Sequence, residues 1–311
     1  MKINSLRTCS ILLSSIRVLL FLCLSILISC SSSEEDNMPV TEPVSDGDPV
    51  DEDTTEEEEP TEKESVVWKN WYLSVPLNRG NGKATSIYYE TIENDGLTAD
   101  QKKYFYKNQD GSYTFFTEFT GYTTSGESAL DASKYCRTEL REYWRGNQST
   151  SDNWSMAEGT HLLESTLKVN YCEGRKQTYI AQIHGIKNEA LGLKNSPATI
   201  KAQWFDGNIV IEYYQKPTSG EWTSEGDGKV TIGRVDNEKF TIHLKVEDGK
   251  FIYKLVCPNK NLDTGYITLY DYVGNGYTYE NYFKTGNYFK WNSDYTQSAE
   301  VILYSAKTTH N

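Results

Sequence analysis

Thr199-Ile200-Lys201-Ala202-Gln203-Trp204-Phe205 is followed by Asp206-Gly207 and then by Asn208-Ile209-Val210-Ile211-Glu212-Tyr213-Tyr214. Two runs rich in β-branched and aromatic residues flank an Asp-Gly pair, which spells strand, tight turn, strand. The pattern recurs. Phe240-Thr241-Ile242-His243-Leu244-Lys245-Val246 and Lys250-Phe251-Ile252-Tyr253-Lys254-Leu255-Val256 flank Asp248-Gly249, and Asp227-Gly228 offers a further turn signal. Helical periodicity is scarce, with short helices expected only within Leu97 to Tyr106 and Ser128 to Tyr135. Many short strands at even spacing predict an all-β chain, a two-sheet antiparallel sandwich or β-jelly roll.

Working outward, the strand-rich region fills residues 66–311, a length that β-sandwiches reach as one domain. Residues 31 to 65 are Ser, Asp, Glu, Pro and Thr with almost nothing apolar, including Glu56-Glu57-Glu58-Glu59. Such a segment cannot bury enough surface to offset chain entropy, so an extended tether is expected. It also carries the charge. Of 44 acidic residues 15 lie between Glu34 and Glu64, and of 31 basic residues four precede residue 66. The remaining 29 acidic and 27 basic residues leave the folded part near neutral. The overall net charge of −13 is therefore no argument against an anionic ligand, which only local positive charge decides.

The first 29 residues read as a signal peptide. Lys2, Arg7 and Arg17 precede an apolar run from Val18 to Ile28 that is too short for a comfortable membrane span. The run ends in Leu27-Ile28-Ser29-Cys30, which resembles the lipobox of bacterial lipoproteins. That resemblance implies cleavage before Cys30 and a lipid on its thiol. Ser31-Ser32-Ser33-Glu34-Glu35-Asp36 is similar to export signals of some Gram-negative surface lipoproteins. The expected location is the bacterial outer membrane, anchored by lipid and exposed at the cell surface if that signal operates. Cys136, Cys172 and Cys257 then remain in the folded part. They allow at most one disulfide, and their spacing suits no metal site.

Three segments hold candidate functional residues. In Arg137-Thr138-Glu139-Leu140-Arg141-Glu142, strand alternation puts Arg137, Glu139 and Arg141 on one face. Two guanidiniums flanking a carboxylate make a cationic strip suited to a carboxylate ligand. In Tyr179-Ile180-Ala181-Gln182-Ile183-His184-Gly185, Gln182 and His184 share a face, and Ile180 is expected beside them. In Tyr282-Phe283-Lys284-Thr285-Gly286-Asn287-Tyr288-Phe289-Lys290, one face carries Tyr282, Lys284, Gly286, Tyr288 and Lys290, with Gly286 leaving a gap for a ligand. Taken singly, each is more commonly an ordinary charged or aromatic strand face.

In order, the three resemble the signature blocks of family 7 polysaccharide lyases of the alginate lyase 2 type: R-T/S-E-L-R, Q-I/V-H and Y-F-K-A-G-x-Y. Trp71-Tyr72-Leu73-Ser74-Val75-Pro76 is similar to that family's first strand, and the resemblance spans roughly residues 68 to 306. Thr285 stands where Ala is usual, and Lys290 where Gln is common. The resemblance implies a jelly roll with a concave substrate groove and β-elimination on alginate without metal or organic cofactor. It assigns Arg137 and Gln182 to the uronate carboxylate, and Tyr288 and His184 to proton transfer. Glu139, Arg141, Tyr282, Lys284 and Lys290 are expected to line the substrate site. Tyr288 needs cationic neighbours to act as base, with Arg137 and Lys284 as candidates. Ile183 in the middle block implies acceptance of guluronate-containing blocks. The expected partners are alginate and, through the lipid alone, a membrane. No nucleic acid is expected, and the chain is expected to act as a monomer. A lyase for another uronate polymer such as glucuronan, or a non-catalytic carbohydrate-binding jelly roll, are the alternatives.

Overall fold

The hairpin read around Asp206-Gly207 forms. In the computed structural model, which describes residues 66–191, 193, 196–218, 222 and 227–311, strands Ile200–Phe205 and Asn208–Tyr214 pair antiparallel. Asp206 and Gly207 take φ of 45° and 86°, the left-handed pair that matches strand twist in a two-residue turn. Asp248 and Gly249 repeat this, at 51° and 71°, between Phe240–Glu247 and Lys250–Cys257. Asp227-Gly228 does not turn. It opens strand Asp227–Arg234, where Gly228 pairs with Tyr213. A Cβ there would stand 2.3 Å from Cζ of the Tyr213 ring, so this glycine serves packing. The signal segment, Cys30 and the acidic segment up to residue 65 lie outside the described residues.

The two expected helices give way to other structure. Gln101–Lys103 is one 3-10 turn, Phe105–Lys107 is a strand, and residues 128–135 are irregular. Phe105 explains the first loss. It packs edge-on to Trp68 and Phe115 and stacks on Tyr113, which draws its segment into pairing with Tyr113–Glu118. A short α-helix, Tyr89–Glu93, forms where none was expected.

The strands make two antiparallel sheets. The first runs Asp227–Arg234, Asn208–Tyr214, Ile200–Phe205, Gln177–Gly185, Glu280–Phe289, Arg137–Glu142, Trp71–Asn78 and Ala84–Tyr88, with Trp154–Ser155 beside Glu280–Phe289. The second has Lys250–Cys257, Phe240–Glu247, Thr160–Cys172, Ser298–His310 and Tyr113–Glu118 at its centre. Phe240, Ile242, Leu244 and Val246 of the second sheet meet Leu73, Leu140, Ile183, Ile211 and Phe283 of the first in one apolar core. Burying each such side chain contributes roughly 1.5–3 kcal/mol. Cys136, Cys172 and Cys257 are buried and unbridged.

Burial differs between the sheets. Phe240–Glu247 alternates strictly between buried and half-buried positions. Arg137–Glu142, Gln177–Gly185 and Glu280–Phe289 are buried almost throughout. Their outward faces carry polar side chains that are nevertheless shielded, so the first sheet holds a polar recess on the side away from the core.

Candidate active site

Sheet pairing brings the three sequence segments together. Gln182 sits opposite Lys284, and Lys284 opposite Arg141. His184 sits opposite Tyr282, Tyr179 opposite Tyr288, and Tyr288 opposite Arg137. Trp71–Asn78 adds Tyr72 opposite Arg141 and Ser74 opposite Glu139.

Glu139 is the hub, at 1% exposure. Its carboxylate accepts from Arg137 Nη1 at 3.0 Å and, more closely, from Lys284 Nζ and Gln182 Nε2. Burial alone would raise its pKa, but Lys284 and Arg137 outweigh that and hold the carboxyl below the ordinary range. Lys284 is pushed down to about 8 by burial and by Arg137, against the pull of Glu139. Arg137 keeps its charge, and its Nε is buried without a partner among the described residues. A buried donor left unpaired is costly, and Arg137 Nε carries that cost in the sheet beside Glu139.

His184 places Nδ1 2.9 Å from the Gly185 carbonyl, so Nδ1–H donates and Nε2 keeps its lone pair. Burial first, then Lys284 and Arg137, push its pKa down to about 3, and the ring is neutral near pH 7. Tyr288 lies with its ring 3.7 Å from Arg137 Cζ. The cation expected beside it is therefore present, yet burial dominates and the phenol pKa stays above its ordinary value. At rest the recess holds a neutral imidazole and a protonated phenol.

Several sequence expectations change. Ile180 does not join Gln182 and His184. The register breaks between Tyr179 and Ala181, Ile180 and Ala181 both turn into the core, and Tyr179 takes the recess side. Gly286 leaves no gap for a ligand. A Cβ there would stand 2.8 Å from the Thr138 carbonyl and 3.0 Å from Glu139 Cα, so the neighbouring strand occupies that space, and its φ is 136°. Arg141 is not a free cation for substrate. Its Nη1 donates to the Glu142 carbonyl, and its Nη2 to the Thr150 carbonyl and Asn153 Oδ1. Its Cζ lies 4.1 Å from the centroid of the Tyr282 ring. The Glu139 carboxylate is likewise engaged, by Arg137, Lys284 and Gln182. Lys290 lies farther along, 4.3 Å from the Tyr135 ring and 5.2 Å from that of Tyr179.

Other recess residues were missed. Tyr72 lies near Arg141 and Arg137. Tyr179 donates to Glu212, which also pairs with Lys201 at 3.1 Å and accepts from Gln203. Lys201, Gln203 and Glu212 lie in the hairpin that announced the fold, where alternation put them on the polar face.

The chain matches a family model described as alginate lyase over residues 66–310. No curated protein sequence matches it. Among solved structures it is similar to alginate lyase A1-II′, a member of polysaccharide lyase family-7, at 27% identity with a TM-score of 0.59, covering 78% of this chain and 96% of that one. An A1-II′ variant with a histidine-to-asparagine and a tyrosine-to-phenylalanine change, in complex with substrate (GGMG), aligns at 24% identity and TM-score 0.61, covering 78% and 94%. The alginate lyase from Klebsiella pneumoniae shares the fold at 20% identity and TM-score 0.59, covering 78% and 96%. With the match running through both sheets and all three segments of the recess, the chain belongs to the alginate lyase family.

Proposed function

We propose that this alginate lyase cleaves guluronate-containing blocks by β-elimination, with Arg137 and Gln182 on the uronate carboxylate, His184 as base and Tyr288 as acid. Elimination takes H5, alpha to the C6 carboxylate. The C5–H electron pair becomes the C4–C5 double bond, and the bond from C4 to the glycosidic oxygen breaks. Charge builds on the carboxylate as H5 leaves, so donors must already point at it. The Arg137 guanidinium, whose side chain keeps 11% exposure at the recess, supplies donors for it. Gln182 spends one amide hydrogen on Glu139 and has a second to offer. Nε2 of His184 accepts H5, and the Tyr288 hydroxyl protonates the departing O4.

The resting protonation states carry this reading: a neutral His184 with its lone pair free and a Tyr288 that holds its proton. Base and acid as separate groups suit the anti elimination, in which H5 and O4 lie on opposite faces, as in guluronate. For mannuronate, the C5 epimer, Tyr288 alone must give and take the proton. Ile183 in the middle block agrees with guluronate acceptance. The residue types exchanged in the A1-II′ substrate complex, a histidine and a tyrosine, are the types assigned to proton transfer in this chain.

The test follows ultraviolet absorbance of the new double bond on polyguluronate, polymannuronate and glucuronan. Tyr288→Phe is expected to lose about 10²–10⁴-fold in rate with unchanged polymer binding. His184→Asn is expected to damage polyguluronate cleavage more than polymannuronate cleavage. A folded Tyr288→Phe enzyme with full turnover would falsify the assignment, and cleavage confined to glucuronan would replace the substrate.

For location, the Ser29-Cys30 junction supports a lipid anchor at the outer membrane. Cys30→Ala is expected to move the protein from the membrane fraction to the soluble one, and unchanged partitioning would remove the anchor.

A further inference from the structure

His184 has one hydrogen bond to hold its ring, from Nδ1 to the carbonyl of its own neighbour Gly185, and no carboxylate contacts it among the described residues. A base whose Nε2 must meet one hydrogen needs firmer orientation than that. The ring is stacked instead. Tyr282 lies face to face with it, centroids 5.2 Å apart and planes 19° from parallel. On Tyr282 sits the Arg141 guanidinium, 4.1 Å from the ring centroid. The guanidinium is itself pinned, to the Glu142 carbonyl at 2.6 Å, the Thr150 carbonyl at 3.0 Å and Asn153 Oδ1 at 2.8 Å, with the Ser149 carbonyl at 3.4 Å. Asn153 is buried. The result is a pile of three flat groups, anchored at one end in the segment after strand Arg137–Glu142 and ending on the imidazole.

We infer that Arg141 and Tyr282 are positioning residues for His184, and that through it they set the relative rates on guluronate and mannuronate. The inference rests on the proposed role of His184 as base for the anti reaction. Tyr282 lies against a base that only one epimer uses, with Arg141 behind it, while Tyr288 is fixed separately, by Arg137 and by the edge of the Tyr135 ring. Loosening the stack therefore moves one of two proton-transfer routes. A misplacement of about 1 Å costs on the order of 10²-fold in rate, so the preference follows the stack.

The stack also covers one face of the half-buried imidazole. The charged and titratable groups facing His184 are Lys284 and Tyr282 from strand Glu280–Phe289 and Arg137 and Glu139 from strand Arg137–Glu142. Lys201 stands opposite Gln182 on the other flank. Opening the Tyr282 side to solvent relieves the burial that keeps the ring unprotonated, so its titration moves up towards that of an ordinary imidazole.

The experiment measures turnover of the full enzyme on polyguluronate and on polymannuronate across pH 4 to 9, roughly the span in which an imidazole titrates when burial is relieved. Variants are Tyr282→Leu, Tyr282→Phe, Arg141→Met and His184→Asn. Tyr282→Leu is expected to lower the polyguluronate-to-polymannuronate ratio by about 10²-fold. It should also bring an acidic limb into the polyguluronate profile that the polymannuronate profile lacks. Arg141→Met moves both readouts the same way by less, because the ring remains. Tyr282→Phe keeps the stacking face and restores ratio and limb, which separates stacking from the hydroxyl. Equal losses on both polymers with no displaced limb, in a Tyr282→Leu protein with native circular dichroism, overturn the inference. If Tyr282→Leu does not fold, Arg141→Met carries the same decision. If His184→Asn lowers both polymers equally, the base assignment itself has failed and the inference falls with it. A selective His184→Asn beside an unselective Tyr282→Leu rejects the stack alone.

Discussion

Glu139 and Glu142 stand three residues apart on one strand, and both are almost wholly unexposed, at 1% and 0%. Glu139 faces the recess. Its partners Arg137, Lys284 and Gln182 are long side chains with hydrogens left over. Glu142 faces inward. Its Oε2 accepts from the Trp154 indole at 3.1 Å and from the Phe283 backbone N–H at 2.9 Å, and its Oε1 lies 2.8 Å from His310 Nε2. His310 then meets His161, which meets the Glu158 carbonyl. Trp154 stacks on His161 at 4.4 Å. Every partner of the Glu142 carboxylate is a packed ring or the backbone, and each is used up. A buried carboxylate thus points to function when its partners keep unspent donors, and to architecture when they do not.

The largest effects expected separate the two. Glu142→Ala strands the Phe283 N–H, the Trp154 N–H and His310 in the core. It is expected to cost about 3–5 kcal/mol of unfolding free energy, read by chemical denaturation, while the folded fraction keeps its turnover. Glu139→Gln keeps the shape but releases Arg137 and Lys284 from their anchor. It is expected to lose about 10²–10³-fold in turnover with a smaller change in stability. The reverse pattern would break the comparison.

Titration separates the regions next. Lys284 titrates at about 8 in the fold, against 10.5 ordinarily. As pH rises past about 8 its ammonium is lost and the recess loses a cation, so kcat/KM on alginate is expected to fall. Stability moves the other way. Between about 8 and 10.5 the unfolded chain binds the proton that the folded one has released, so the contribution of Lys284 to stability rises with pH. Lys284→Arg, which stays charged, is expected to remove both trends. His184 behaves in the same sense lower down. With its titration at about 3, polyguluronate cleavage loses nothing to His184 protonation between pH 7 and 5, roughly where an ordinary imidazole would charge. A pH profile together with denaturation midpoints checks each sign.

Much of the recess was legible because it is a matter of strand parity. Arg137, Glu139 and Arg141 share a face, as do Tyr282, Lys284 and Tyr288, and alternation alone requires it. What parity cannot see is an inserted residue. Ile180 and Ala181 both point inward because the strand bulges there, and nothing in their side chains marks the break. Neither could sequence show that Arg141 is spoken for, because two of its three firm acceptors are backbone carbonyls. The Glu142 cluster was invisible for a different reason. His310 lies 168 residues from Glu142 and 149 from His161, and only the pairing of two sheets brings them together. Tyr72 and Tyr179 were two among 23 tyrosines, and the core takes most of that residue type.

The smallest effect concerns a charge that belongs to neither glutamate. Lys290 Nζ rests near the rings of Tyr135 and Tyr179, with no carboxylate within ion-pairing distance among the described residues. Burial lowers its pKa, and Glu212 pulls the other way. It is thus a partly desolvated cation held by ring faces, two residues beyond Tyr288 on the same face. On the proposed function, such a charge is expected to meet the polymer equally in the ground state and the transition state, and so to affect binding more than the chemical step. Lys290→Gln is expected to raise KM by about fivefold, equivalent to the roughly 1 kcal/mol of a partly exposed charge, with kcat unchanged. Salt screens such contacts, so KM of the variant should also depend less steeply on ionic strength. A fall in kcat instead would place Lys290 with Glu139 and its donors, and would extend the reacting part of the recess past Tyr288 to the end of the strand.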